Sequence, residues 1–176
     1  MITKSTPNQR TDKLIELIKD IRIAMLTTAL PDGTLRSRPM ATQQADSDGD
    51  LWFFTQANVA KADEIRDNPH VNVSYSSPRD GRFVSVTGTA TLVRDRRKVE
   101  ELWDQLYEAW YPQGLQDPDL ALLNVQVERA EYWDAASGTM AEIAGLLSLP
   151  GEDGTSAAGE NEKIDLTANA AAWRPR

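Results

Sequence analysis

Cysteine is absent from this chain, and histidine occurs once in its 176 residues. The first absence excludes disulfide scaffolds, thiolate metal centres, iron–sulfur clusters and thiol nucleophiles; the second excludes multi-histidine metal sites. No stretch approaches the roughly 20 consecutive apolar residues of a membrane span. The start, Met1 to Pro7, holds no apolar run of signal-peptide length, so a soluble, cytoplasmic protein with no membrane contact is expected. The sequon Asn72-Val73-Ser74 carries no weight without a secretion signal. Positive charge is short as well, with 27 Asp and Glu against 19 Lys and Arg and a net charge of −8. A general nucleic-acid binder needs clustered cations on its surface and is not expected, although a small local basic pocket remains open. Neither G-x-G-x-x-G nor a Walker A sequence occurs, which leaves classical dinucleotide and nucleoside-triphosphate folds unsupported. His70 has no local partners for a catalytic triad. Asp46-Ser47-Asp48-Gly49-Asp50 resembles a calcium loop only faintly: its glycine comes too early, and Ala57 stands where a Glu is required. It reads as a hairpin turn.

What is present is ordinary in amount. Hydrophobic residues make up 40% and charged residues 26%, which suits one soluble domain able to bury a core. Leu14, Leu17, Ile18 and Ile21 recur at helical spacing after Thr11, a plausible N-cap, and predict a helix over 11–20. Strands are predicted at 22–29, 35–44, 51–55, 70–75, 82–93, 120–127 and 130–135, with turn signals such as Pro31-Asp32-Gly33 and Pro78-Arg79-Asp80-Gly81 between several of them. Pro39 within its strand argues for an edge or a bulge, and Gly88 for a bulge or a close backbone approach. Further helices are predicted at 58–67 and at 96–110, the latter with Val99, Leu102, Trp103, Leu106 and Trp110 on one stripe. Successive strands joined by hairpin turns favour a mainly β, antiparallel barrel with peripheral helices over a doubly wound sheet. From Ser148 the composition turns to Gly, Ala, Ser, Asn and acidic residues. The expected division is a domain over 1–147 and a flexible or loosely docked tail over 148–176, in which Trp173 is the one aromatic.

The informative stretch is Arg36 to Lys61. Arg36 and Arg38 have the same parity and share a face of a regular strand. Two adjacent cations repel unless they are solvated or given an anion. Lys61 opens the predicted helix, where free backbone amides add to the positive field. Between these cations lies the apolar run Trp52-Phe53-Phe54 followed by the hydroxyl of Thr55. The grouping reads either as solvated charges flanking a core strand or as a site for a flat aromatic ligand with a phosphate tail.

The segment from Phe54-Thr55 through Lys61 to Asn68-Pro69 is similar to the strand–helix segment of the pyridoxamine 5′-phosphate oxidase-like, FMN-binding split-barrel proteins. Arg38-Pro39-Met40 resembles the preceding flavin-contacting strand of that family, and Phe83 to Ala90 the strand before its second helix. Glu131-Tyr132-Trp133-Asp134 resembles the general stress protein branch, so the likeness covers about residues 10–140. The resemblance implies a six-stranded antiparallel split β-barrel, a homodimer, and FMN in a groove at the dimer interface. Arg38 and Lys61 would neutralise the phosphate, with Thr55 as a hydrogen-bonding partner. The backbone at Pro39, Met40, Phe53 and Phe54 would line the isoalloxazine, and a partner chain would bring Trp110 or Trp133 near the ring.

The chain departs from the oxidase pattern where further basic residues hold the flavin phosphate, having Gln43 and Ala60 there. It also lacks the late Arg-x-His segment that grips the vitamin substrate. Oxidation of pyridoxine phosphate is therefore not expected. The resemblance implies an FMN-binding flavoprotein of the general stress type, acting as a flavin-dependent oxidoreductase on a small substrate. The alternative is a non-catalytic flavin carrier or stress-linked binding protein. A barrel that has lost flavin, and a deazaflavin-dependent reductase, are the remaining readings; the latter would want a larger basic groove than this acidic chain displays.

Overall fold

The computed structural model describes residues 7–43, 49–134 and 160–166. Helix α1 (Pro7–Ile18) leads into strands β1 (Ile23–Ala29), β2 (Leu35–Ala41) and β3 (Leu51–Gln56). Helix α2 (Ala60–Asp67) follows, then β4 (His70–Ser77), β5 (Arg82–Val93), α3 (Arg96–Leu102), β6 (Leu120–Asp134) and β7 (Glu160–Asp165). The strands form one antiparallel sheet in the order β2-β1-β4-β5-β6-β3, with β7 also on β6. The architecture is the antiparallel barrel with peripheral helices that the turn spacing and the family resemblance predict. No helix among the described residues is long and apolar enough to cross a membrane.

Strand β6 organises the sheet. Along one edge it pairs with β5 over nearly its whole length. Along the other it pairs with β3 through Leu120 to Val125 and with β7 through Arg129 to Asp134. Beyond the end of β2, the Gln43 N–H donates to the Trp52 carbonyl of β3 (3.3 Å), which brings the two ends of the strand order together. Inside lie Leu14, Leu17 and Ile18 of α1 with Leu26, Phe53, Val73, Val86, Leu123 and Tyr132, all nearly inaccessible to water. Strand β3 is buried on both faces: Leu51 and Phe53 point into this core, while Trp52 and Phe54 join Val99, Leu120 and Leu122 in a second cluster. The unbroken apolar run of β3 follows from that double burial.

Three elements differ from the sequence expectation. The helix expected over 96–110 stops at Leu102: Trp103 is extended (φ −69°, ψ 131°), and a separate 3-10 turn runs Gln105–Ala109. The Asp104 carboxylate accepts from the Leu106 N–H and so caps a new start. The break lets the Trp103 ring meet Phe54 edge to face at 5.3 Å. The two last strands are one, 15 residues long. Thr87 opposes Arg129 and Gly88 opposes Val127, so Glu128 is an extra, bulged residue within a continuous strand. Gly88 makes the close approach expected of it, since a Cβ there would lie 2.2 Å from the Gln126 carbonyl oxygen.

The third difference lies in the expected tail. Its described part, residues 160–166, holds strand β7 (Glu160–Asp165) docked on β6, with Ile164 and the following Leu166 buried in the main core. The Leu166 N–H donates to the carbonyl of the bulged Glu128 (2.8 Å). For these residues, apolar side chains at alternate positions and a free edge on β6 outweigh the polar composition. The 147/148 boundary, Trp173 and Gln44–Asp48 lie outside the described residues.

Ile164→Ala should lower stability by about 2–3 kcal/mol through lost burial and an incompletely collapsed cavity, read as the midpoint shift in denaturant. Gly88→Ala should cost about 2 kcal/mol or more, because backbone must move to admit the methyl group. An unchanged midpoint in either variant would contradict the docking or the close approach described above.

Candidate functional site

Strand β2 is an edge strand, where the missing N–H of Pro39 is tolerated. Its alternation places Arg36, Arg38 and Met40 on one face and Pro39 on the other, exposed. Helix α2 packs on β5 and β1 and reaches that face of β2 through its side chains. Its N-cap residue, Val59, is extended and makes no side-chain cap, and its carbonyl accepts from the Ala62 N–H at 2.9 Å. Lys61 lies in the first turn, and its ammonium donates to the Met40 thioether sulfur at 3.2 Å. One turn on, Glu64 is buried at 8% exposure. Its Oε1 accepts from Arg36 Nη1 at 2.8 Å, and its Oε2 accepts from Arg38 Nη2 at 2.5 Å. The same Oε2 accepts from the buried Thr28 hydroxyl at 2.6 Å, and that hydroxyl oxygen accepts from Arg38 Nη2 at 3.0 Å.

The electrostatics are lopsided. Arg36 and Arg38 both hold the one carboxylate, and Lys61 is a third cation close enough to Arg38 to feel its charge. Burial alone would raise the Glu64 pKa. Hydrogen bonds from Thr28 and Arg38 and the charges of Arg38 and Arg36 outweigh it, and the pKa lies below the usual carboxylate range. Lys61 has no such compensation. Burial first, and the charge of Arg38 second, push its pKa down to about 8. No ion pair reaches its ammonium among the described residues. Arg38 Nη1 is buried and has no hydrogen-bond partner. A desolvated lysine beside a guanidinium with an unsatisfied N–H presents charge and a donor whose chemistry suits a phosphate or carboxylate.

The other expected residues divide. Thr55 is buried, and its hydroxyl reaches only the Gln56 carbonyl (3.3 Å). The Phe53 side chain is committed to the main core. The Phe54 ring packs at 4.8 Å from Tyr107 and 6.2 Å from Tyr111, so both residues offer a ligand only their backbone. Trp110 is 64% exposed and touches the Tyr107 ring. Trp133 is paired with Phe83 on the half of β6 that carries β7, beyond the half that pairs with β3. Thr28 and Glu64 were not singled out from the sequence. Their pairing spans 36 positions and leaves no local pattern.

The family model described as pyridoxamine 5′-phosphate oxidase like matches residues 9–148. The chain belongs to this family. Among members of known structure, the general stress FMN/FAD binding protein from Xanthomonas citri is 30% identical, with a TM-score of 0.62 over 74% of this chain and 91% of that one. A protein related to general stress protein 26 from Clostridium acetobutylicum, 18% identical, shares the fold with a TM-score of 0.68 over 92% of this chain and 98% of that one. Protein bli-3 of Neurospora crassa is 28% identical over 147 residues, or 78% of this chain and 70% of its own length.

In this oxidase-like chain the uncompensated lysine carries a stability consequence. A lysine whose pKa is lower folded than unfolded binds fewer protons when folded, so folding is penalised below pH 8 and relieved as pH rises toward the unfolded value of 10.5. Lys61→Met should therefore stabilise the ligand-free protein by roughly 1–3 kcal/mol at pH 7. The gain should shrink between pH 8 and 10.5, as read from paired denaturation curves. A variant less stable than wild type at pH 7 would show that the lysine is compensated after all.

Proposed function

We propose that the chain is a cytoplasmic, homodimeric flavoprotein that binds FMN, with the flavin phosphate on the Arg38–Lys61 cluster. The observation that carries this reading is the unsatisfied Arg38 Nη1 beside a desolvated Lys61. The description of the Xanthomonas citri relative as FMN/FAD binding supports it. A terminal phosphate monoester, with close to two negative charges, suits three cations and one carboxylate better than the singly charged internal phosphates of FAD do. The Thr55 hydroxyl and the α2 amides complete the phosphate end. The backbone of Pro39 and Met40 on one strand, and of Phe53 and Phe54 on another, lines the isoalloxazine.

A dimer is supported by the outer face of β1 and β2. Ile23 (49% exposed), Met25 (40%) and Leu35 (70%) lie there with Pro39 and the Thr27–Ser37 hydroxyl pair, and no charged side chain interrupts them. A second copy covering this face would shield the edge strand that holds Arg38, and would bring Trp110 or Trp133 toward the flavin from across the interface. When bound, the flavin supplies hydride or electron transfer; the chain positions it, excludes water and sets its electrostatics. Nothing in the chain replaces the Arg-x-His segment, so the substrate is not pyridoxine phosphate. Turnover of reduced nicotinamide above the rate of free flavin separates an oxidoreductase from a carrier.

Titration of the apo protein with FMN, FAD and riboflavin tests the assignment. FMN should bind at micromolar concentration or tighter and well ahead of riboflavin. Lys61→Ala should weaken FMN by about tenfold or more, the equivalent of one charge-assisted contact. FMN affinity should fall as pH rises through about 8, where Lys61 loses its proton, while riboflavin affinity stays level. Equal affinity for FMN and riboflavin in the wild type would remove the phosphate from this cluster.

A further inference from the structure

We propose that Glu64, with Thr28, is a positioning residue of the anion site: it holds Arg38 by one guanidinium nitrogen and leaves the other as the donor for a ligand phosphate. The proposal rests on the reading of the cation cluster as the flavin-phosphate site. It follows from how the side chains are layered. Thr28 is wholly buried, the Glu64 side chain is 9% exposed, that of Arg38 18% and that of Arg36 53%. The carboxylate is therefore the floor of the cluster and the guanidinium groups are above it. Both carboxylate oxygens are engaged, Oε1 by Arg36 and Oε2 by Arg38 and Thr28. Arg38 Nη2 donates to Glu64 and to Thr28, which fixes the plane of the guanidinium, and Nη1 is the nitrogen left without a partner.

Stability gives little reason for this arrangement. A buried ion cluster contributes little net, and apolar side chains of similar volume serve as well or better. What the carboxylate adds is placement. It comes from α2, the helix that carries Lys61, and grips the strand that carries Arg38, so it sets the distance between the two cations that share the ligand charge. Its own charge is consumed below them and does not face the ligand.

The test compares FMN with riboflavin, which lacks the phosphate, in wild type, Glu64→Gln, Thr28→Val and Thr28→Ser, by flavin fluorescence. Glu64→Gln should lose FMN affinity by about tenfold or more and riboflavin affinity by less than about twofold, since only charge-assisted phosphate contacts depend on it. Thr28→Val should lower the FMN preference several-fold, and Thr28→Ser, which keeps the hydroxyl, should restore it. Inorganic phosphate should compete with FMN less effectively in Glu64→Gln than in wild type. An unchanged FMN-to-riboflavin ratio in Glu64→Gln would overturn the proposal, and so would tighter FMN binding, because the carboxylate would then be a competitor of the phosphate. Should Glu64→Gln fail to fold, an unchanged ratio in Thr28→Val overturns it alone. A wild type with no preference for FMN overturns the phosphate site itself, a result distinct from the failure of Glu64 within a working site.

Discussion

A carboxylate taken out of water must have its lone pairs met, and in this chain that requirement ties three elements together. Glu64 of α2 draws Thr28 from β1 and both arginines from β2. The helix is thereby clamped over the outermost hairpin of the sheet. Three cations and one carboxylate leave positive charge in excess, and the excess appears where water is already excluded, at Lys61 and at Arg38 Nη1. A site of this kind is unfavourable when empty and becomes favourable when an anion enters, because the desolvation has been incurred during folding.

The rest of the fold keeps that clamp in place. Strand β6 holds β5 along one edge, and β3 and β7 along successive halves of the other. Its bulge at Glu128, opposite Gly88, is the point at which the carbonyl of the extra residue is taken up by Leu166. The second cluster, built on Phe54, Trp103, Tyr107 and Tyr111, secures the outer face of β3, and Tyr107 is hydrogen-bonded to Gln43 just beyond β2. Phe53 and Phe54 are thus occupied in packing from both faces. In the proposed reading β3 therefore meets the ligand with its backbone and not with its rings.

Much of this was legible in the sequence, and what escaped has a physical cause. The parity of Arg36 and Arg38, the edge position of Pro39 and the close approach at Gly88 are local consequences of residue type, and the structure shows all three. The helix break at Trp103 was not legible, because Leu102, Trp103 and Leu106 fit a helical stripe well. Only the capping carboxylate of Asp104 and the aromatic partner on β3 disfavour continuing the helix. Strand β7 was hidden by its charges, although Ile164 and Leu166 already alternate. Glu64 and Thr28 were hidden most deeply. A charged residue within a short polar helix reads as solvated, and only the arginines brought over from β2 make its burial tolerable.

The chain as a whole carries a charge of −8, and this sharpens what the cation cluster can select. An acidic surface repels free polyanions within about one Debye length, and long nucleic-acid strands gain little from a cluster of three cations. A ligand that enters must gain by another route, through an apolar body that is buried on binding. In the proposed reading the backbone of β2 and β3 supplies that surface. On that reading the combination favours a small molecule that joins a planar ring system to one phosphate. It disfavours a phosphate alone, which would lack the apolar contribution, and a ring alone, which would leave Lys61 desolvated with no anion and Arg38 Nη1 unsatisfied.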